Sequence, residues 1–196
     1  MKKLLLVLVL NAVALWGFGQ HETLFNHVKV RGAFGGPIIE SGFKNSLGNS
    51  VGGGGGLVFN NMFIGGYGMG SVDFEKLIND ELEVLDIGHG GLWIGGSLPT
   101  YKMLHFYGST RIGWGAVNVQ FDNVHHYNDL DKIFVLTPEI GLEMNITHWF
   151  RIAASAGYRW VDGTNETLGY NDDDFSGYIG ALTFRFGWFG WKRGNW

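Results

Sequence analysis

Residues 150–189 contain two runs in which apolar residues alternate with small or polar ones, joined by an acidic segment. The even positions carry the apolar side chains: Phe150, Ile152, Ala154, Ala156, Tyr158 and Trp160 in the first run, and Tyr178, Gly180, Leu182, Phe184, Phe186 and Trp188 in the second. Because side chains alternate across a strand, each run has one apolar face. Aromatic residues lie near both ends of that face, about nine to eleven residues apart, which is the length of a membrane-crossing strand. The two runs predict a hairpin of a transmembrane β-barrel.

The composition fits a small barrel. Charged residues make up 16% of the 196 residues, below the roughly 25% of an ordinary soluble domain. Aromatic residues reach 15%, and 33 glycines accompany only 3 prolines, as expected for interfacial girdles and a crowded lumen. A net charge of −4 without a basic patch argues against nucleic-acid binding, and the lack of cysteine excludes disulfides, thiolate metal sites and a lipid-modified cysteine.

The N-terminus has the pattern of an export signal. Met1, Lys2 and Lys3 precede an apolar run at 4–16, and small residues surround a predicted cleavage site at Gly19. The apolar run is shorter than the roughly 20 residues of a membrane-spanning helix. We therefore expect a signal peptide at 1–19 and a barrel domain at 20–196.

Eight strands are predicted, at about 28–38, 51–59, 62–72, 87–98, 104–121, 133–146, 150–161 and 178–188. The connections after strands two, four and six are short, whereas the others are long and polar, and the charged stretch 73–86 is expected to extend a hairpin. In strand one we expect Val28, Val30, Phe34 and Ile38 to face outward. The five glycines at 52–56 do not show which side of strand two faces the lumen, and the sides of strands three and four are also unassigned. The sequence thus predicts an all-β fold, an eight-stranded antiparallel transmembrane β-barrel with short periplasmic turns and longer extracellular loops.

A lipocalin-like soluble barrel has the same periodicity with its faces reversed. The small or polar face decides between the two, since a water-exposed surface normally carries dense charge. Here that face carries mostly Gly, Ala, Ser and Thr with isolated ionic residues, which suits the lumen of a narrow barrel.

Isolated charges on the inferred lumen face predict a buried ion network that fills the barrel, the alternative being a conduction path or proton relay. The network residues are Lys29, Arg31, Arg111, Glu139, Glu143, Arg151, Arg159 and Arg185. We further expect Arg111 or Arg151 to pair with Glu139 or Glu143. An outward aromatic girdle is predicted from Phe106, Trp114, Phe150, Tyr158, Trp160, Tyr178, Phe186 and Trp188.

Three further patterns are weaker candidates for a functional site. His125 and His126 lie near acidic residues but lack a spaced third ligand. The acidic run 172–174 lacks the spacing of a calcium loop. His105 and Ser109 share a face, as a base and nucleophile would, but no third orienting residue is evident. We therefore expect no catalytic residue, no bound metal and no cofactor.

Several stretches resemble small outer-membrane β-barrel proteins of Bacteroidetes, with an eight-stranded architecture of the OmpX and OmpW type: 89–92, 138–143, 157–160, 175–177 and 184–187. The resemblance implies a Gram-negative outer membrane and this barrel fold, without catalytic residues to carry over. We expect a monomer in contact with outer-membrane lipid and lipopolysaccharide, inserted by the barrel insertion machinery. Its role is expected to be structural or one of surface interaction; the alternatives are a lipid-modifying enzyme and a soluble ligand-binding barrel.

Overall fold

The computed structural model describes residues 29–43, 48–72, 75–78, 81–98, 102–120, 131–164 and 171–190. Within these ranges the strands are β1 (Val30–Gly42), β2 (Asn49–Phe59), β3 (Met62–Val72), β4 (Glu75–Ile78), β5 (Glu81–Leu98), β6 (Leu104–Gln120), β7 (Asp131–Asn145), β8 (Phe150–Asp162) and β9 (Gly177–Trp188). A short helix, α1 (Asp172–Phe175), precedes β9. In the part of the chain so described, no helix is long and apolar enough to cross a membrane.

All strands except β4 form one closed antiparallel barrel. The order runs β3-β2-β1-β9-β8-β7-β6-β5, and pairing of β3 with β5 closes the ring. The first and last strands are neighbours, because β1 pairs with both β2 and β9. The predicted eight-stranded antiparallel barrel is confirmed.

Short and long connections lie at opposite ends of the barrel. The strand ends that flank 60–61, 99–103 and 146–149 lie at one end of the barrel, the turn end, and Asn60 adopts the positive φ of 52° that a two-residue hairpin turn requires. The C-terminal ends of β1, β3, β6 and β8 lie at the other end, the loop end. The intervals between the barrel strands alternate between short and long along the sequence, as predicted.

At the loop end, a three-stranded sheet extends past the rim of the barrel. The first part of β5 pairs with β4 on one side and with β6 on the other. The ladder of β5 with β3 begins only at Gly88, and that of β6 with β7 begins at Val117. The expected extension of the charged stretch beyond the barrel is therefore present, and we call it the protruding sheet, residues 75–78, 81–86 and 118–120.

The predicted outward face of strand one is wrong for Phe34 and Ile38, whereas Val30 is exposed as predicted and Val28 lies outside the described residues. Phe34 and Ile38 are buried in the lumen, whereas Ala33, Pro37 and Ile39 face outward. The prediction assumed that large apolar residues face lipid, and it carried one parity through the whole strand, whereas the β1–β2 register shifts between Val30 and Gly32. The lumen is filled by large side chains of β1 beside the neighbouring strand β2, whose glycines supply almost none.

One of the five glycines of β2, Gly54, makes room for an indole ring. A Cβ at Gly54 would lie 2.9 Å from the ring of Trp93. Trp93 is among the most buried residues, and from β5 it reaches past β3 to the inner side of β2. Gly54 therefore gives β2 a smooth inner surface against which a large lumen residue packs.

Pro138 lies in the middle of β7, opposite Thr110 of β6. The pairs of β7 with β8 pass from Leu136–Trp160 to Glu139–Gly157 at constant register. A proline within a sheet usually lies at a bulge or on an edge strand, but this one lies in a continuous, paired strand. It interrupts the ladder locally, because it has no N–H to donate.

Candidate functional site

The lumen contains all the buried ionic side chains of the residues the structure describes. Three are carboxylates and four are guanidiniums: Glu40, Glu139, Glu143, Arg111, Arg151, Arg159 and Arg185. They divide into two clusters, one at each end of the barrel.

The turn-end cluster is built around Glu143, which is fully buried. Arg151 Nη1 donates to its Oε1 at 2.9 Å, and Arg185 Nη1 donates to its Oε2. Ser97 Oγ also donates to Oε1 at 2.9 Å, and His105 Nδ1 lies 3.4 Å from the same oxygen. One carboxylate thus serves two guanidiniums.

The loop-end cluster contains two carboxylates and two guanidiniums. Arg111 Nη2 donates to Glu40 and lies 3.7 Å from Glu139 Oε2. Arg159 Nη1 donates to the other oxygen of Glu40 at 3.2 Å. Each carboxylate is reached by at least one guanidinium, so the formal charges of this cluster cancel.

Glu139 also ends a chain of hydroxyl groups. Ser109 Oγ donates to Glu139 Oε1 and accepts from Trp93 Nε1 at 3.1 Å and Tyr107 Oη at 2.9 Å. Ser155 Oγ donates to the second carboxylate oxygen at 2.9 Å. These bonds satisfy buried polar groups that would otherwise destabilise the interior.

A phenylalanine closes each end of the lumen. At the loop end, Phe175 of α1 is 1% exposed and packs in an apolar cluster with Ile87, Val117, Ile133, Val135 and Val161. Its carbonyl accepts from Arg159 Nε at 3.1 Å. At the turn end, Phe189 follows β9 and lies under the guanidinium of Arg151, 3.9 Å from it. The ends are therefore blocked by different means, an apolar cluster at one and a cation–π contact at the other.

Six of the eight residues predicted for the lumen network lie inside the barrel: Arg111, Glu139, Glu143, Arg151, Arg159 and Arg185. The geometry agrees with the expected pairs, Arg151 with Glu143 and Arg111 with Glu139. Lys29 and Arg31 are exposed, and placing them in the lumen was wrong for the same reason that the faces of strand one were wrong.

Sequence reasoning missed Glu40. The predicted strand one ended at Ile38, four residues before the end of β1 at Gly42, and it placed Phe34 and Ile38 on the outer face. The available signal was parity: Glu40 shares the parity of Phe34 and Ile38, so a carboxylate would have faced lipid if those two residues did.

The residues predicted for the aromatic girdle all lie on the outer face. Phe106, Trp114, Trp160, Tyr178, Phe186 and Trp188 are exposed, and Phe150 and Tyr158 are half-buried. Neighbouring rings touch across the strands: Phe150 stacks on Phe186 at 4.7 Å between centroids, and Tyr158 meets Tyr178 edge-on at 5.2 Å. The rings lie towards the two ends of the strands, with less bulky residues between them.

The weaker candidates gain no support from the geometry. The Ser109 hydroxyl donates to Glu139, and His105 Nε2 lies 2.6 Å from the carbonyl oxygen of Lys102. The two side chains therefore interact with other groups and not with each other as a base and nucleophile would. His125 and His126 lie outside the described residues. Asp172 accepts hydrogen bonds from the Thr164 backbone and hydroxyl, and Asn171 caps α1. Within the described ranges, no group of acidic and histidine residues is placed to hold a metal ion.

Two solved structures have a similar overall fold. One is Ail, the attachment invasion locus protein of Yersinia pestis, in complex with the heparin analogue sucrose octasulfate: 15% identity, 80% of this chain and 97% of that chain covered, and a TM-score of 0.45. The other is the same protein described without that ligand, at 14% identity, the same coverage and a TM-score of 0.44. No protein-family model and no curated protein matches the sequence. At this level of similarity, the ligand of Ail says nothing about the ligand of this chain.

Proposed function

We propose that the chain is an outer-membrane β-barrel protein of a Gram-negative bacterium that presents a binding surface outside the cell. The observation that carries the proposal is the apolar outer face. Ile140 is 77% exposed, Phe106 74% and Trp114 65%, while the ionic residues point inward. Soluble proteins rarely expose a continuous apolar surface of this kind, whereas lipid tails are its natural surroundings.

The closed ladder supports the same conclusion. In hydrocarbon every backbone N–H and C=O must find a partner within the protein. A ring in which β1 pairs with β9 and β3 pairs with β5 leaves no free edge at the height of the barrel. The soluble lipocalin-like alternative requires the opposite arrangement of faces.

The lumen supports a structural or surface role over transport. Buried ion pairs and aromatic rings fill it, and Phe175 and Phe189 block its two ends. Removing one partner from such a network is costly, so the network is suited to holding the barrel rigid.

The protruding sheet is the feature that could bind a partner. β4 pairs with β5 alone, so its other edge has no strand beside it among the described residues. A free edge offers unpaired N–H and C=O groups to an extended segment of another protein, which can add a further strand. We infer that the protein binds extended protein segments through this edge. Export with cleavage near Gly19, a Bacteroidetes origin, a monomeric state and contact with lipopolysaccharide stay predictions.

Membrane location can be tested by fractionation and gel mobility. The protein should be recovered with outer-membrane markers, require detergent for extraction, and migrate differently before and after boiling, as folded membrane barrels do. Recovery in the soluble periplasmic fraction would refute the membrane assignment.

The binding role can be tested by replacing residues 73–86 with a two-residue turn. Cells that display this variant should lose attachment to protein-coated surfaces, because the hairpin that carries the free edge is gone. A variant with a shortened 121–130 connection is the matched control, and it should keep attachment. Equal attachment by both variants and the unaltered protein, at equal surface amounts, would contradict the role of the edge.

A further inference from the structure

A small cavity lies at the turn end of the lumen. Its volume is about 20 Å³, enough for one occupant of about the size of a water molecule. Arg151 and Arg185 line it, together with Asn61, Ser97, Phe63 and Phe189. Glu143, the carboxylate that pairs with both guanidiniums, is not part of the lining.

The charge around this cavity is unbalanced. Two guanidiniums share one carboxylate, which leaves one formal positive charge in excess among the residues that the structure describes. The loop-end cluster, with its two carboxylates and two guanidiniums, has no such excess. A buried charge without compensation is strongly unfavourable, so the imbalance calls for an anion.

Arg185 has unused hydrogen-bonding capacity at this place. The residue is 2% exposed, and its Nε is buried without a hydrogen-bond partner. The ring centroids of Phe34 and Phe63 lie 3.8 and 4.4 Å from its central carbon and 5.1 Å from each other, so both rings pack on one side of the guanidinium. The guanidinium offers a ligand only N–H donors, since arginine has no hydrogen-bond acceptor.

We propose that the cavity is a binding site for a single small monovalent anion of the chloride class. Such an ion fits the excess positive charge and the unpaired N–H donor of Arg185. It also fits a cavity volume near that of one water molecule. The small volume favours a monatomic ion over sulfate, phosphate and carboxylates. This inference concerns the lumen alone and does not depend on the surface role proposed above.

The test is the thermal midpoint of the folded barrel in detergent, measured in sodium chloride and in sodium gluconate at equal ionic strength. An ion that binds only the folded state raises the midpoint as its concentration increases. We expect the midpoint to rise by several degrees with chloride in the unaltered protein and in Arg159→Gln, which alters the loop-end cluster. Arg185→Gln should abolish the dependence on chloride.

A second measurement keeps the inference testable if Arg185→Gln fails to fold. Crystals of the unaltered protein grown in sodium bromide should show an anomalous peak in the cavity. A water molecule there instead, or bromide that appears only at molar concentration with no chloride effect on the midpoint, would overturn the assignment.

Discussion

The two ion clusters of the lumen stabilise buried arginines by different means. At the loop end each guanidinium has a carboxylate, because Glu40 and Glu139 lie beside Arg111 and Arg159. At the turn end Arg151 and Arg185 share Glu143, and aromatic rings cover their faces. A guanidinium over an aromatic ring gains up to about 2 kcal/mol when it is removed from water. The comparison shows that aromatic faces can replace part of the missing negative charge.

The clusters also differ in redundancy. Glu143 is the hub of the turn end, and every ionic contact of that cluster passes through it. At the loop end Arg111 reaches two carboxylates, and Arg159 has the carbonyl of Phe175 in addition to Glu40. We therefore expect equal substitutions at the two ends to have unequal effects.

The largest effect is expected for Glu143→Gln. The substitution removes the carboxylate that pairs with both Arg151 and Arg185, and leaving such a buried charge unpaired costs about 3–5 kcal/mol. Urea unfolding of the refolded barrel in micelles, followed by tryptophan fluorescence, measures the loss. A loss below about 1 kcal/mol would mean that the aromatic contacts suffice without the carboxylate.

Glu40→Gln is the matched substitution at the loop end. Because Arg111 keeps Glu139 and Arg159 keeps the Phe175 carbonyl, we expect a smaller loss, about 1–3 kcal/mol. The same urea titration gives the value. If the loss equals or exceeds that of Glu143→Gln, redundancy does not distinguish the clusters.

Gly54→Ala tests the packing of the lumen next to the clusters. The new methyl group would lie 2.9 Å from the Trp93 ring and 2.8 Å from the Gly66 carbonyl oxygen, and overpacking of this kind costs about 1–3 kcal/mol. Gly68→Ala is the control, since a Cβ there meets no atom within 4 Å. Similar unfolding free energies for the two variants would argue against a tight wall at β2.

The smallest effect is expected for Thr183→Val. The Thr183 hydroxyl is buried without a hydrogen-bond partner, between the two clusters. Replacing it with a methyl group of similar shape should change the unfolding free energy by less than about 1 kcal/mol, in the stabilising direction. A clear loss of stability would indicate that the hydroxyl binds a buried water molecule.

The fold was predictable from sequence because the alternation in β6 to β9 is strong. In these strands every charged lumen residue lies opposite in parity to the exposed aromatic residues, and the structure keeps that parity throughout. The turn at Asn60 was predictable for a local reason, since asparagine tolerates positive φ.

The faces of β1 were not predictable from its own sequence. Phe34 and Ile38 point inward beside the glycines of the neighbouring strand β2, and that requirement depends on contacts between strands. For the same reason Glu40 could not be assigned to the network. The capping roles of Phe175 and Phe189 depend on where short segments fold after a strand ends, which alternation does not encode.

The pairing of β1 with β9 has a consequence for biogenesis. β1 acquires its second neighbour only when β9 pairs with it, so a chain that lacks β9 would leave two strand edges unpaired. Closure of the barrel therefore requires β9. A circularly permuted protein, in which the original termini are joined and new termini lie at the 60–61 turn, should still form a closed barrel.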